Sequence, residues 1–209
     1  MNMLCSDKTG TLTLNQLSLG DPFTMPGVRD EEMILAASLA SQPGAEDPID
    51  KTILAGLSEP SQLDAYQVVH FTPFDPVSKR TEAEIQSPDG QSWKTSKGAP
   101  QVILDLAPNK DEIEASVNQV IEDYAKRGYR ALGVARTDSQ GQWQFLGIIS
   151  LFDPPRSDSQ ITLQNALKLG VPVKMITGDQ VSIAKETARQ LGLGTNILDA
   201  KIFRETPAS

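Results

Sequence analysis

The chain changes character at Asp153-Pro154-Pro155-Arg156, and that change limits the possible folds more than any other feature. Beyond it the text reads as a helix over Ser159 to Leu169, a Gly170 stop, a strand over Val171 to Ile176, a Thr177-Gly178-Asp179 loop and a helix over Val181 to Leu191. Such βα alternation builds a parallel sheet with its sites at the carboxyl ends of the strands. The amino terminus supplies a strand of the same kind, because Met1 to Cys5 is a short apolar run that stops at the polar loop Ser6-Asp7-Lys8-Thr9-Gly10. Asp7 and Thr177 both fall at strand ends, so the two ends of the chain are expected to pair into one α/β domain.

The text between these ends follows different rules. After the turn-rich stretch Gly20 to Arg29, helices are predicted over Asp30 to about Ala40 and Ile49 to Leu57. Strands follow at Tyr66 to Phe71, Thr81 to Gln86 and Gln91 to Ser96, the last two joined by the hairpin signal Pro88-Asp89-Gly90. Ile113, Val117, Val120, Ile121 and Tyr124 repeat at helical spacing between Asp111 and Arg127, with Gly128 as a stop. Further strands are predicted over Ala131 to Arg136 and Trp143 to Leu151. The expected fold class is therefore α/β, with residues 1–19 and 153–209 as one domain. Residues 20–152 form an inserted α+β domain of antiparallel sheet with flanking helices.

Composition narrows the function. The 209 residues are 39% hydrophobic and 22% charged, as in an ordinary soluble globular protein. A net charge of -8 argues against nucleic acid as a partner, since phosphate backbones are held by clustered Lys and Arg. The longest near-continuous apolar run, Phe145 to Phe152, is far shorter than the roughly 20 residues of a membrane helix, so direct membrane insertion is not expected. With one cysteine, Cys5, and one histidine, His70, neither an internal disulfide nor a zinc site is expected, and a reducing cytosol suits the chain. The first residues, MNMLCSD, carry no secretory signal pattern. His70 lies between Val69 and Phe71 and reads as structural, and no base accompanies the Cys5 thiol.

The stretch Ser6-Asp7-Lys8-Thr9-Gly10-Thr11-Leu12-Thr13 carries the chemistry. An Asp at a strand end is exposed, and the backbone amides after it can cradle a phosphoryl group, with Gly10 allowing close approach. A carboxylate nucleophile yields an acyl-phosphate, and Lys8, the hydroxyls and a magnesium ion would offset the developing charge. Read alone, Asp-Lys-Thr-Gly is equally an Asx-type turn.

The longer string CSDKTGTLT resembles the phosphorylation motif of P-type ATPases, and other signatures follow in that family's order. Lys97-Gly98-Ala99-Pro100 resembles its nucleotide-domain motif, Asp153-Pro154-Pro155-Arg156 its domain hinge, and Thr177-Gly178-Asp179 its second phosphate-site motif. The texts FTPFDPVSKRTEA and TGDQVSIAKETARQLGLGTNI are most similar to the plasma-membrane proton-pumping subfamily, and the resemblance covers essentially the whole chain. It implies a haloacid dehalogenase-like, Rossmannoid phosphorylation domain with an inserted nucleotide-binding domain. It also implies ATP as partner, magnesium as cofactor and the cytoplasmic side of the plasma membrane as location.

By the same resemblance Asp7 is the residue phosphorylated, and Asp7 and the Thr9 carbonyl bind magnesium. Lys8, Thr11, Thr177 and Gly178 serve the phosphoryl group, and Asp179 sits beside the nucleotide. Phe74 is placed against adenine, with Asp50, Lys79, Lys97, Gly98 and Arg130 around the nucleotide and Arg156 near its phosphates. An aromatic face with lysines nearby suits adenine and triphosphate. Taken singly, Phe74 reads more readily as a core aromatic, and Lys79, Lys97 and Arg130 as a solvated strand edge, and only their joint placement in family motifs favours the site.

The text also departs from the family. Its membrane helices, its actuator domain and its later GDGxNDxP loop with the preceding lysine have no counterpart, and the text stops at Ile202-Phe203-Arg204-Glu205, where that half of the domain is expected to begin. The phosphorylation domain is thus expected to be incomplete, to hold magnesium poorly and to be inactive or slow alone. The membrane and actuator domains of a pump are implied partners, and proton is the ion by likeness. Two other readings stay open: a non-catalytic nucleotide-binding module, and a soluble haloacid dehalogenase-type phosphatase, although the second Asp usual in that group is replaced by Thr9. A P-loop enzyme is disfavoured by the absence of G-x-x-x-x-G-K-[ST].

Overall fold

The structure is a computed structural model that describes residues 2–42, 44 and 46–199. Met1, at the head of the expected first strand, and Ile202 to Glu205 lie outside the described residues. The strands are β1 (Leu4–Asp7), β2 (Ser18–Leu19), β3 (Phe23–Thr24), β4 (Gln67–Thr72), β5 (Arg80–Gln86), β6 (Ser92–Gly98), β7 (Arg130–Thr137), β8 (Trp143–Phe152) and β9 (Val173–Ile176). The helices are α1 (Asp30–Leu39), α2 (Pro48–Ala55), α3 (Pro100–Leu104), α4 (Lys110–Lys126), α5 (Ser159–Lys168) and α6 (Val181–Gln190).

The chain divides into two compact units. One gathers Met1–Gln16, Asp123–Tyr129 and Asp153–Ser209, and the other Leu17–Glu122 and Arg130–Phe152. The second unit begins at Leu17, ahead of the expected residue 20, because Ser18 and Leu19 pair with Phe152 and Leu151 in its sheet.

In the first unit β1 and β9 pair in parallel, Leu4 beside Val173 and Asp7 beside Ile176. Leu12, Leu163 and Leu191 form its small core, with Val173, Met175 and Leu193 packed against them. The shared register has a direct consequence for chemistry. The loop after β1 and the loop after β9 leave the sheet side by side, as the strand-end rule for α/β sheets requires.

The second unit is built on an antiparallel sheet in the order β2-β8-β7-β6-β5-β4, with β3 also paired to β8. Alternation is plain in β5, where Thr81, Ala83 and Ile85 are buried while Arg80, Glu82 and Glu84 face the other side. Ala83 and Ile85 pack with Leu39 of α1, and Met33, Ile53, Val134, Leu146, Ile149 and Leu151 make the larger core. The Asp89-Gly90 hairpin closes with Ser87 N donating to Gln91 O at 2.9 Å. Helix α2 starts where its cap dictates: Asp47 Oδ1 accepts from Ile49 N at 2.8 Å and Asp50 N at 3.2 Å, and Pro48 takes the first helical position. Helix α3, the two-residue strands β2 and β3, and a 3₁₀ turn over Pro60–Ala65 are too short to show periodicity and were not expected. No helix among the described residues is long and apolar enough to cross a membrane.

Gly98, at the end of β6, shows how closely this sheet is packed. A Cβ there would lie 2.3 Å from the Lys79 carbonyl oxygen and 2.7 Å from Arg80 Cα, both backbone atoms. Gly98→Ala is therefore expected to destabilise the second unit by about 1–3 kcal/mol, seen as a lower urea midpoint with an unchanged slope.

Candidate functional site

β1 ends at Asp7, whose backbone is extended and whose Oδ1 accepts from Lys8 N at 2.9 Å. Lys8–Leu12 then form one wide turn, non-helical at Thr9 and Gly10 and closed by Thr13 N donating to Lys8 O at 3.0 Å. Gly10 has φ +75°, in the left-handed region where a side chain is strained, whereas a Cβ there would meet only Asn15 Cβ at 3.8 Å. The turn needs glycine for its conformation. Asp7, Thr9, Gly10 and Thr11 are all exposed on this turn.

Lys8 is turned inward. Its Nζ lies 2.6 Å from Asp179 Oδ2, and the two side chains are only 6% and 5% exposed. Asp179 belongs to the loop after β9, where its N–H donates to Thr177 Oγ1 at 3.1 Å just ahead of α6. A buried ion pair thus joins the loop after β1 to the loop after β9, with Asp7 exposed on the first. The structure brings together Asp7, Lys8, Thr9, Thr11, Thr177, Gly178 and Asp179 on two adjacent loops of one unit. It gives Lys8 and Asp179 a shared, loop-bridging position that spacing could not show.

The same unit holds the Asp153-Pro154-Pro155-Arg156 segment against the end of the Asp7 loop. Leu14 N donates to Pro154 O at 3.0 Å, Arg156 N to Leu12 O at 3.0 Å and Ser159 Oγ to Leu12 O at 2.9 Å. Thr13 Oγ1 is 2.5 Å from Asp153 Oδ2. The sequence places Thr13 and Asp153 in two of its motifs but gives neither a role of its own in the site. A fully buried threonine inside a polar loop was the available signal, but burial is not readable there. Arg156 itself is exposed, its Nε 3.8 Å from the Asp158 carboxylate.

Magnesium would find two protein oxygens on the loop after β1. The described residues contain no group of three His, Cys, Asp or Glu able to hold a metal ion. Asp7 offers a carboxylate oxygen and Thr9 a backbone carbonyl, while magnesium takes about six oxygens in an octahedron and often draws most of them from water and substrate phosphates.

In the second unit the structure brings Asp50 and Lys97 together. Lys97 is buried and its ammonium donates to Asp50 Oδ1 at 2.8 Å, Ala40 O at 2.9 Å and Thr81 Oγ1 at 3.3 Å, which uses all three of its protons. Asp50 Oδ2 accepts from Gln42 N at 3.0 Å. Burial pulls the Lys97 ammonium below the ordinary lysine range, and the Asp50 carboxylate partly holds it up. Thr81 completes this cluster and was missed because its place on the buried face of β5 looks like ordinary strand text.

Gly98 and Lys79 meet through the backbone, with Ala99 N donating to Lys79 O at 2.9 Å. Lys79 adopts φ +53° and closes a turn in which Asp75 Oδ1 accepts from Ser78 N at 2.8 Å and Val77 N at 3.0 Å. These amide bonds, that from Ser78 foremost, hold the Asp75 carboxyl below its usual range. Phe74, on the same turn, is 60% exposed and is not a core aromatic. Arg130 is exposed at the start of β7. His70, expected to be structural, is exposed on the edge strand β4, and Cys5 is a free exposed thiol.

Comparison with known proteins gives a consistent picture. A family model described as a haloacid dehalogenase-like hydrolase matches residues 1–207. Plasma membrane ATPase 1 of Candida albicans is 46% identical over 210 residues, covering 96% of this chain and 24% of its own length. Plasma membrane ATPases of Neurospora crassa and Zygosaccharomyces rouxii are 46% and 45% identical, each with 96% of this chain and 23% of their own length covered. The chain thus spans about a quarter of the length of these curated relatives.

Proposed function

Because the chain belongs to the haloacid dehalogenase-like hydrolase family, we propose that it is the ATP-binding, phosphoryl-accepting part of a P-type ATPase that drives cation transport, with proton as the ion. The observation that carries this reading is the pair of adjacent strand-end loops tied by Lys8 and Asp179, with the Asp7 carboxylate exposed beside them. Asp7 Oδ1 is engaged by Lys8 N, which leaves Oδ2 to attack the γ-phosphorus of ATP as the bond to the ADP oxygen breaks and ADP leaves with the electron pair. The hydroxyls of Thr11 and Thr177 and the Gly178 N–H donate to the phosphoryl oxygens. Lys8 acts from beneath the loop: its buried charge, balanced by Asp179, holds the loops in register. Magnesium, when bound, offsets the charge of the transferring group, with Asp7 and the Thr9 carbonyl as its protein oxygens.

The first unit is the phosphorylation domain in this reading and the second the nucleotide-binding domain. Adenine stacks on Phe74, Lys79 and Arg130 reach the ribose and phosphates, and Arg156 is a further cation for phosphate. Asp50 and Lys97 shape the pocket as a buried pair, and Gly98 keeps the floor close to Lys79. In the cell the chain would lie on the cytoplasmic side of the plasma membrane, alongside the pump's membrane and actuator domains. Phe74→Ala is expected to change stability by no more than about 0.5 kcal/mol, because the ring is exposed, yet to weaken ATP binding by about tenfold. NMR titration with ATP checks the second effect, and equal shifts in both proteins would remove Phe74 from the pocket.

The test of function is incubation with γ-labelled ATP and magnesium, an acid quench and release by hydroxylamine. Acid-stable, hydroxylamine-sensitive label on this chain supports the acyl-phosphate. Its absence after long incubation, with ATP binding intact, would leave a nucleotide-binding module that accepts no phosphate.

A further inference from the structure

We propose that Asp153 is a positioning residue for the phosphoryl-accepting loop, acting through the Thr13 hydroxyl on the Gly10 amide. The proposal rests on the reading of Asp7 as acceptor. Thr13 is fully buried, so no solvent water can replace its partners. Three groups surround its Oγ1: Asp153 Oδ2 at 2.5 Å, Lys8 O at 3.1 Å and Gly10 N at 3.4 Å. A hydroxyl has a single proton. The carboxylate is the nearest and strongest acceptor, at a distance typical of a charge-assisted O–H···O⁻ bond, so it takes that proton. Lys8 O is already served by Thr13 N at 3.0 Å. The hydroxyl lone pairs are then free to receive Gly10 N, and the neighbouring charge makes the oxygen a better acceptor.

Gly10 sits mid-turn between Asp7 and Thr11 in the left-handed conformation, so its amide partner sets the shape of the loop. The surrounding ties do not depend on the carboxylate: Leu14 N to Pro154 O, Arg156 N to Leu12 O and Ser159 Oγ to Leu12 O anchor the segment without it. Asp153 Oδ1, moreover, is buried with no hydrogen-bond partner among the described residues. An ionised carboxylate takes the Thr13 proton more firmly than a neutral amide oxygen would, which leaves the hydroxyl oxygen as the acceptor for Gly10 N. The carboxylate is explained by what it does to the Thr13 proton.

The experiment uses the 209-residue chain and reads hydrogen exchange of the Gly10 amide by NMR. Asp153→Asn and Thr13→Val are each expected to speed that exchange about tenfold, the size of one lost hydrogen bond, while Thr13→Ser keeps the wild-type rate. The double variant Asp153→Asn/Thr13→Val should exchange no faster than Thr13→Val alone, because both act along one path. Unchanged Gly10 exchange in Asp153→Asn, additive effects in the double variant, or failure of Thr13→Ser would each overturn the proposal. Should Asp153→Asn not fold, the contrast of Thr13→Val with Thr13→Ser decides alone. A second arm measures acyl-phosphate formation from ATP, expected to fall about tenfold in Asp153→Asn with its dependence on ATP concentration unchanged. Wild-type rates in Asp153→Asn would sink the positioning role and leave the acceptor standing. Wild-type chain that never labels, with exchange as expected, would sink the acceptor and leave the loop-holding role standing.

Discussion

Asp50→Ala is expected to cost the second unit about 3–5 kcal/mol at neutral pH, the range for removing one partner of a buried ion pair. The magnitude follows from what is left behind. The Lys97 ammonium keeps Ala40 O and Thr81 Oγ1 but loses its bonded carboxylate, and Gln42 N loses its acceptor as well. The pH dependence has a definite sign. Lys97 is held below its ordinary value of 10.5, chiefly by burial, so between its folded and unfolded pKa values the unfolded chain binds more protons and stability rises with pH. Removing Asp50 removes the contacts that raise this pKa, which opens that window further towards neutral pH. The cost of Asp50→Ala should therefore shrink as pH rises towards 10.5, since a neutral amine no longer needs the carboxylate. Urea unfolding across that range reads both effects. A cost that is constant with pH would mean that the Asp50–Gln42 bond, rather than the ion pair, carries the stability. Asp50→Leu combined with Lys97→Met should recover most of the loss, as apolar replacement of a buried pair commonly does.

This pair also shows where the sequence stops being informative. Both residues stood out as nucleotide-site positions by resemblance, yet neither spacing nor composition could pair two side chains separated by 47 positions. Strand alternation in β5 and the Asp89-Gly90 turn were readable because they are set by local backbone sterics and period. The βα text after Asp153 and the strand ending at Asp7 were readable for the same reason, and they sufficed to bring the loops after β1 and β9 together. Orientation within those loops was not. Lys8 looked like a cation facing the phosphoryl group, and only tertiary packing turns it under the loop towards Asp179. Thr13 and Asp153, 140 positions apart, become partners only once the two ends of the chain fold together. Helix α3 and strands β2 and β3 fell below the length at which a period exists.

Asp7→Asn is expected to abolish the acid-stable label from γ-labelled ATP completely while leaving the fold intact. The two halves of this expectation have separate grounds. Structurally, Asp7 is exposed and its carboxylate accepts from Lys8 N at 2.9 Å, a bond that an asparagine oxygen can also accept. The change in stability should stay within about 0.5 kcal/mol, as for surface substitutions that disturb no partner. Chemically, an amide is a poor nucleophile and bears no negative oxygen to form the acyl-phosphate bond, so the covalent route closes whatever the quality of the rest of the site. Losing an accessory donor such as the Thr177 hydroxyl would instead lower the rate by about 10² to 10³ and leave residual label. Total loss in Asp7→Asn against residual label in Thr177→Val is thus the signature of a nucleophile beside a stabilising neighbour. Equal residual label in the two variants would show that phosphate is accepted elsewhere in the chain. Unchanged unfolding curves, measured alongside, exclude loss of label by loss of fold.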